Sequence, residues 1–240
     1  MTDHRFDSPE KDTGKHFDAG ATMTSAVAEE GVVTISRDEG LDKALDMLAD
    51  SGMDFAIVEG AKKTDLPKVV LGDLDDGDEI SNVLFRLPPR SDWDMKPVVK
   101  AIKDLPEYMT LESLIKKVKQ NPAFPEVGCI GTFVGVVREN TDGTITKMLD
   151  FEKYETIAEK HMEAICSDLR AQEGVIDAVM YHKYGKLMPG ADIVYIVVAA
   201  SHRQEMFSAL REGIERLKAN VPVWKKEITS EGEFWVHDTH

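Results

Sequence analysis

The sequence is poor in the features that mark disulfide-rich, membrane-spanning or metal-binding proteins. Its 240 residues include two cysteines, Cys129 and Cys166, which lie in apolar segments and form no CxxC pair. No apolar run approaches the length of a membrane-spanning helix, and the first residues are polar and acidic rather than a signal peptide. The seven histidines show no HExxH or other metal-ligand spacing. We therefore expect a cytoplasmic enzyme or binding protein without a metal or other cofactor.

Positive charge is also scarce. The chain has 44 acidic and 29 basic side chains and a net charge of −15, which disfavours binding to nucleic acid or to a membrane surface. Residues 1–100 hold 22 acidic and 12 basic side chains, whereas residues 101–240 hold 22 and 17. An anion-binding site is therefore expected in the second part of the chain.

The first part of the chain alternates short apolar runs with one amphipathic segment. The patterns predict a helix over Leu41–Ala49 and strands over Gly31–Ser36, Phe55–Glu59 and Lys68–Leu71. This alternation favours a small α/β region over residues 1–85 with a mostly parallel sheet. The acidic run Asp73–Glu79 and the prolines that follow it predict a linker over residues 86–107.

The remaining residues, 108–240, have the pattern of an α+β domain. Apolar periodicity predicts helices and strands throughout it. The predicted helices are Thr110–Gln120, Ile157–Leu169 and Arg203–Asn220, the last with Phe207, Leu210, Ile214 and Leu217 facing the core. The predicted strands are Val127–Arg138, its hairpin partner Thr144–Tyr154, Val175–Tyr184 and Asp192–Ala200.

One candidate site lies where the last predicted strand meets the last predicted helix. Ser201 followed by Gln204 fits a capping box, which places a helix start here. A helix start exposes N–H groups to an anion, and His202 and Arg203 would add cationic donors. A plain capped helix with a surface arginine explains the same residues.

A second candidate lies in the cationic segment Arg216–Glu227. Pro222 ends the helix, and Trp224, Lys225 and Lys226 follow it. A lysine there would act on an anionic substrate as a nucleophile or general acid, since burial or neighbouring cations lower the pKa of an amine. A basic helix end with a packed tryptophan is the structural alternative.

The strand Val127–Arg138 carries two further residues of interest. Alternation places Phe133 on the same face as Gly131, Gly135 and Val137, and it places Arg138 at the strand end on the opposite face. A Cys–His nucleophile pair is conceivable, but both cysteines lie in apolar periodic segments, which favours buried and inert thiols.

Several ordered motifs resemble one family. Residues 106–240 are similar to the large, catalytic subunit of molybdopterin synthase (the MoaE family) through the motifs TFVGVVR, FEKYE, AASHR, RLKANVPVWKKE and EGEFWV. The resemblance implies an α/β hammerhead-type fold and a homodimer. Each subunit would carry a small ubiquitin-like, MoaD-like sulfur carrier with a C-terminal Gly-Gly, giving a heterotetramer. The carrier's thiocarboxylate would convert cyclic pyranopterin monophosphate into the molybdopterin dithiolene.

The resemblance also implies site residues. Lys218 matches the essential lysine of the family, and Lys225 matches the second lysine, so both are expected to be catalytic. The expected substrate-binding residues are Phe133, Val136, Val137, Arg138, His202, Arg203, Lys225, Lys226 and Glu227. The segment Glu139–Thr141 departs from the family pattern, and the sequence stops at His240 without the family's arginine-bearing tail.

The first region resembles a different family of the same cofactor pathway. The motifs DHRFDSPEKDTGKHFDAGA and FAIVEGAKKTDLPKVVLG are similar to the molybdopterin-guanine dinucleotide adaptor (the MobB family), which is a P-loop GTP-binding protein. The P-loop motif GxxxxGK[ST] is missing, so we expect a truncated adaptor domain that does not bind GTP.

Three hypotheses follow from these observations. The leading one is a sulfurtransferase that acts on a pterin phosphate. The main alternative is a non-catalytic scaffold for a ubiquitin-like protein, or a target of its conjugation, and the third is a GTP-binding adaptor. The five cations Arg138, His202, Arg203, Lys218 and Lys225 favour the first, because a scaffold has no need of them.

Overall fold

The structure is a computed structural model that describes residues 12–37, 40–72, 80–89, 92–141, 143–152 and 155–236. Its contacts divide the chain into two units, Met1–Pro106 and Glu107–His240. The two units are described separately below.

The described residues of the first unit form two small sheets and three helices. Strands β1 and β2 pair antiparallel, whereas β3 and β4 pair parallel. Among the described residues of this unit, the fully buried hydrophobic side chains are Val70 and Val98. The helices are α1 (Asp12–Asp18), α2 (Leu41–Asp50) and α3 (Met95–Lys103), and the strands are β1 (Met23–Ala28), β2 (Gly31–Ser36), β3 (Lys68–Leu71) and β4 (Val83–Leu87).

The first unit confirms the predicted helix α2 and strands β2 and β3, but it corrects two other expectations. Residues Phe55–Glu59 form no strand, and Phe55 and Ile57 are 57% and 92% exposed because no neighbouring strand pairs with them. The sheet is not mostly parallel, since only β3 and β4 are parallel among the described strands. The acidic run 73–79 lies outside the described residues.

The segment predicted as a linker, residues 86–107, contains helix α3. Asp94 caps this helix, because its side chain accepts a hydrogen bond from the Lys96 amide. Val98, which is 2% exposed, anchors the helix in its unit. The prolines around it had favoured a linker, yet Pro97 lies in the first turn, where a missing N–H costs nothing.

The second unit is built on two sheets. Its helices are α4 (Leu111–Lys119), α5 (Glu155–Arg170) and α6 (Arg203–Asn220), with a short 3₁₀ turn at Phe124–Glu126. Its strands are β5 (Cys129–Val136), β6 (Asn140–Thr141), β7 (Thr144–Glu152), β8 (Val175–His182), β9 (Gly185–Leu187), β10 (Asp192–Ala200), β11 (Trp224–Thr229) and β12 (Glu233–Val236).

The strand order differs from the predicted hairpins in one respect. The first sheet has the order β5-β10-β8, all antiparallel, and the second has the order β12-β11-β7-β6, with β9 also paired to β7. The prediction that β5 and β7 form a hairpin is therefore wrong. The hairpin partner of β7 is instead the short strand β6, because the main chain leaves the first sheet after Val136.

The core of the second unit lies on both faces of β10. One face carries Val194, Ile196 and Val198 into a cluster with α5 and α6, and the other carries Tyr195 and Val197 into a cluster with α4. Alternate side chains point to opposite faces of a strand, so a strand covered on both faces is apolar at nearly every position. This explains the unbroken run DIVYIVVAA.

Helix α6 packs on the first sheet with a slightly different face from the predicted one. Leu210, Ile214 and Leu217 pack against the core as expected, but Phe207 is 63% exposed. The buried residues of the helix are Met206, Ala209 and Gly213, and Phe207 follows Met206 in sequence, just outside this buried line. Small residues on that line allow the helix backbone to approach the sheet.

Strand β5 approaches the start of α6 closely at Gly128. A Cβ atom at Gly128 would lie 2.2 Å from the backbone oxygen of Ser201, whereas one at Gly131 would lie 2.0 Å from the Met206 sulfur. The first obstacle is main chain that a hydrogen bond between the Gly128 amide and the Ala200 oxygen holds in place. The second is a flexible side chain that can move.

We expect Gly128→Ala to destabilise the second unit by about 1–3 kcal/mol, because backbone must shift to admit the methyl group. Gly131→Ala is the matched control, and its cost should be smaller because Met206 can change rotamer. Thermal unfolding of the two variants and the wild type measures this. Equal melting temperatures for the two variants would contradict the assignment of the close contact.

Candidate active site

Strand β11 carries two of the predicted site residues on the face that points into the domain. Lys225 is paired with Phe151 across β7, and Glu227 is paired with Leu149. Paired residues of antiparallel strands share a face, and Phe151 and Leu149 are only 5% and 6% exposed. The side chains of Lys225 and Glu227 are therefore half-buried on the inner face of the second sheet.

Lys226 lies on the opposite face of the same strand. Its partners across the sheet are Asp150 and Trp235, and its ammonium group forms an ion pair with Glu233 of β12. The structure therefore does not bring Lys226 together with Lys225, although they are adjacent in sequence. Successive side chains of a strand point to opposite faces of the sheet, which separates the two lysines.

The carboxylate of Glu227 has a defined partner on the inner face. The hydroxyl of Thr146, a residue that is 2% exposed, donates a hydrogen bond to Glu227 Oε1. A buried hydroxyl of this kind fixes the rotamer of the acid beside Lys225.

The end of β5 and the two residues after it bring three more predicted residues to the same side of the domain. Val137 is 2% exposed and packs in one cluster with Leu149 and Phe151. Its N–H donates to the Ala191 oxygen, and its own oxygen accepts from the Gly190 amide. Arg138, the next residue, is exposed, and Val136 is 50% exposed. The buried Val137 therefore anchors the backbone from which Arg138 projects.

Phe133 lies farther back on β5, half-buried against the cluster that contains α6. Gly135 makes room beside it, since a Cβ atom there would lie 2.7 Å from Val194 Cγ1 and 3.6 Å from Phe133 Cε1. The glycine thus allows the aromatic ring to lie along the strand.

Helix α6 carries Lys218 towards this same end. Met206 lies against Gly131 near the start of β5. Two turns later along the helix, Gly213 lies near Ile196, which pairs with Phe133 farther along β5. The helix therefore runs back along the sheet from the Cys129 end towards the Val136 end. Lys218 is exposed in its last turn, and the connection of residues 221–223 separates the helix from β11 and Lys225.

His202 and Arg203 lie at the other end of α6. Arg203 and Lys218 are fifteen positions apart on one helix, a separation of about 22 Å along its axis. Both His202 and Arg203 are exposed, and the start of β5 is beside them because Cys129 pairs with Ala200. One chain therefore does not bring this pair together with Lys218.

The predicted capping box at this helix start is wrong. The N-cap is His202 rather than Ser201, and its side chain makes no capping hydrogen bond. Strand β10 ends at Ala200 as predicted, and Ser201 lies between the strand and the N-cap, with its amide donating to the Gly174 oxygen. The first amides of α6 thus have no side-chain acceptor at the N-cap.

Sequence reasoning missed His182, which supports the inner face below Lys225. Its ring is 5% exposed and lies 5.1 Å from the ring of Phe151, edge to face, and 5.0 Å from Tyr184. Burial lowers the pKa of His182 from 6.5 to about 4, against the opposing effect of its hydrogen bond with the Lys183 oxygen. A histidine inside a strand of apolar residues was the available signal.

The cysteines and acidic residues suggest no other chemistry. Cys166 is buried as predicted, and its burial raises the pKa of the thiol to about 12, which disfavours the reactive thiolate. Cys129 is half-buried rather than fully buried. Within the part of the chain that the structure describes, no group of three His, Cys, Asp or Glu side chains could hold a metal ion. None of the described helices is long and apolar enough to cross a bilayer.

The fold and these residues define the second unit as a two-sheet α+β domain with a cationic candidate site at one end. Two family models match the chain. One described as MoaE protein matches residues 106–220, and one described as Molybdopterin guanine dinucleotide synthesis protein B matches residues 1–81.

Curated relatives agree with the first match. A probable molybdopterin synthase of Haloferax volcanii is 39% identical over 203 residues, which cover 84% of this chain and 76% of that protein. The molybdopterin synthase catalytic subunits of Pyrococcus abyssi and Bacillus subtilis are 36% and 39% identical, and the matches cover 56% and 53% of this chain and 89% and 78% of theirs. The chain therefore belongs to the MoaE family, the catalytic subunits of molybdopterin synthase.

Membership confirms the expected activity class. The protein is a sulfur-transferring enzyme of molybdenum cofactor biosynthesis. The Haloferax volcanii match is longer than the second unit alone, so it extends into the first. Among solved structures, molybdopterin synthase from Staphylococcus aureus is 34% identical with a TM-score of 0.45, covering 47% of this chain and 82% of that chain.

The buried His182 predicts a pH dependence of stability. Between pH 6.5 and about 4 the unfolded chain binds a proton at this residue that the folded chain does not bind. Stability should therefore fall as pH falls through this window, by about 3 kcal/mol in total, and should be fully present above pH 6.5.

Urea unfolding from pH 4 to 7 tests this effect. Trp224 and Trp235 report on the second unit once Trp93 of the first unit is replaced in Trp93→Phe. The variant His182→Phe should have a flatter pH dependence than its parent. Parallel curves for parent and variant would contradict the buried neutral histidine.

Proposed function

We propose that this chain transfers sulfur from the thiocarboxylated C-terminus of a small ubiquitin-like carrier to cyclic pyranopterin monophosphate. Two carrier equivalents would supply the two sulfurs of the dithiolene. In each transfer the thiocarboxylate sulfur bonds to a pterin side-chain carbon as a carbon–oxygen bond of that carbon breaks and the oxygen leaves. Water then hydrolyses the resulting thioester, which breaks the carrier's carbon–sulfur bond, leaves the sulfur on the pterin and releases the carrier as a carboxylate. The supporting observation is that the end of β5 and the connection between Lys218 and Lys225 lie on one side of the second unit.

Charge explains why such a site needs several cations. A thiocarboxylate and a phosphate are both anions, so they repel each other before sulfur can attack. Fixed cations offset this repulsion and stabilise the negative charge that develops in the transition state. Lys225 on a rigid sheet and Arg138 beside the buried Val137 provide such charges, and the planar Arg138 guanidinium suits a phosphate.

The remaining residues have roles that follow from their positions. Lys218, exposed at the end of α6, would act as the nucleophile or proton donor. Phe133 would contact the flat pterin, and the main chain at Val136 and Val137 would border it. Glu227, held by Thr146, would orient the substrate beside Lys225. Lys226, on the outer face, would contribute only to the surrounding positive charge.

Single-turnover conversion of cyclic pyranopterin monophosphate with a thiocarboxylated carrier tests this proposal. Lys218→Ala should lose about 100-fold or more of the rate while still binding the carrier. Lys119→Ala is the matched control, since it removes an exposed lysine from the last turn of α4.

Two results would overturn the proposal. The first is an unchanged rate in Lys218→Ala. The second is a wild type that binds the carrier but makes no dithiolene, which would favour the scaffold hypothesis.

We also propose that the active form is a homodimer in which each site uses residues of both chains. His202 and Arg203 are about a helix length from Lys218, which is too far for one pterin monophosphate to contact both ends. A two-fold axis can bring the start of α6 in one chain to the end of α6 in the other. With one carrier on each catalytic subunit, the assembly would be a heterotetramer, acting in the cytoplasm, where the free cysteines remain reduced.

Mixing two inactive variants tests the shared site. Lys218→Ala and Arg203→Ala should each be strongly impaired. When the two are unfolded and refolded together, half of the dimers contain one chain of each kind, and each such dimer has one intact site. The mixture should recover about a quarter of the wild-type rate. If mass spectrometry shows that mixed dimers are present and the rate does not recover, the site is not shared between chains, and all five cations belong to one chain's site.

A further inference from the structure

The connection between Lys218 and Lys225 depends on how α6 ends. The helix stops at Asn220, and Val221 takes an extended conformation with φ −90° and ψ 115°. Its amide donates to the Leu217 oxygen at 3.0 Å, and its side chain is 9% exposed. Val223 then packs against two core clusters before β11 begins. The carbonyl of Asn220 lies at the corner between the two lysines.

The Val221 amide caps the Leu217 carbonyl, but the segment offers no such cap to the Asn220 carbonyl. Helices commonly end with a left-handed residue whose own amide and the next amide bond back to the last turn. Here Val221 is extended rather than left-handed, and the next residue, Pro222, has no N–H to donate. A protein donor for the exposed Asn220 carbonyl, in place of water, can therefore come only from another part of the chain.

His161 of α5 supplies that donor. Its Nδ1 atom lies 2.7 Å from the Asn220 oxygen. A carbonyl oxygen only accepts hydrogen bonds, so Nδ1 must carry the hydrogen. Helix α5 is itself fixed, since the neighbouring Met162 and Ala158 are buried in the same core as α6. The contact joins residues 59 positions apart and ties the corner to a rigid helix.

We propose that His161 is a positioning residue for the sulfur-transfer site. Its Nδ1–H holds the Asn220 carbonyl and so sets the direction in which the chain leaves α6. That direction fixes the placement of Lys218 relative to Lys225. The proposal relies on the proposed function for the roles of the two lysines, but the contact itself can be tested without any assay of activity.

Three variants separate the hydrogen bond from the mere presence of a side chain. His161→Asn keeps an N–H close to the position of Nδ1, whereas His161→Gln moves its amide towards the position of Nε2. His161→Leu keeps bulk but has no donor. His16→Leu, which replaces an exposed histidine of the first unit, is the control.

Hydrogen exchange of the segment 217–224 and the nitrogen spectrum of His161 test the contact directly. Exchange at the Val221 amide should be about three- to ten-fold faster in His161→Leu and His161→Gln, and close to wild type in His161→Asn and His16→Leu. The neutral His161 ring should carry its hydrogen on Nδ1. A hydrogen on Nε2, or unchanged exchange in His161→Leu, would overturn the proposal.

Single-turnover kinetics test the consequence for catalysis. The rate at saturating carrier should fall about three- to ten-fold in His161→Leu, with carrier affinity unchanged and the melting temperature lowered by no more than a few degrees, and His161→Asn should restore the rate. Altered exchange with an unaltered rate would overturn the positioning role. If Lys218→Ala also leaves the rate unaltered, the proposed function fails, and the exchange data still decide whether the contact exists.

Discussion

Strand β10 is the element on which the geometry of the second unit depends. It is the central strand of the first sheet, and the residues from Val194 to Ala200 are all buried. Because its two faces pack on different helices, neither face can slip without exposing apolar side chains to water. Its pairing aligns β5, and its short turn into α6 sends that helix back along the sheet. The end of β5 and the end of α6 are thereby brought to the same side.

The two proposed catalytic lysines lie on different kinds of element in this unit. Lys225 projects from a sheet strand whose partner residue is the buried Phe151, and its backbone has little freedom. Lys218 is exposed in the last turn of a helix, where its long side chain can reach a substrate from outside. A fixed charge and a mobile amine suit different tasks. The first neutralises an anion in a set position, and the second follows a reacting atom.

Sequence patterns predicted the second unit better than the first for a physical reason. Strands β8 and β10 are rich in apolar residues and helix α6 is amphipathic, because all three elements pack in the core of the second unit. In the first unit, Phe55–Glu59 had the apolar pattern of a buried strand, but burial depends on a partner that no local pattern contains. The pairing of β5 with β10 joins residues that are distant in sequence. Local patterns therefore favoured a hairpin between β5 and β7, which are close in sequence.

For the candidate site, the sequence supplied the residues and the structure supplied their arrangement. Family motifs pointed to Lys218, Lys225 and Arg138, and the structure places them at one end of the domain. The predicted helix over Arg203–Asn220 already implied that Arg203 lies a helix length from Lys218, whereas no strand was predicted at Lys226, so its outward orientation was missed. His182 was missed because a histidine inside an apolar strand differs little from any core aromatic until its neighbours are known.

The alternation along β11 has a consequence for how this family can vary in length. Lys225 faces the interior and Lys226 the exterior only because β11 enters the sheet at one particular residue. Adding or removing one residue in the connection after α6 would exchange the two lysines between the faces. The second amine would still be present, on the wrong side of the sheet. Over evolution this connection should therefore accept substitutions far more readily than insertions or deletions.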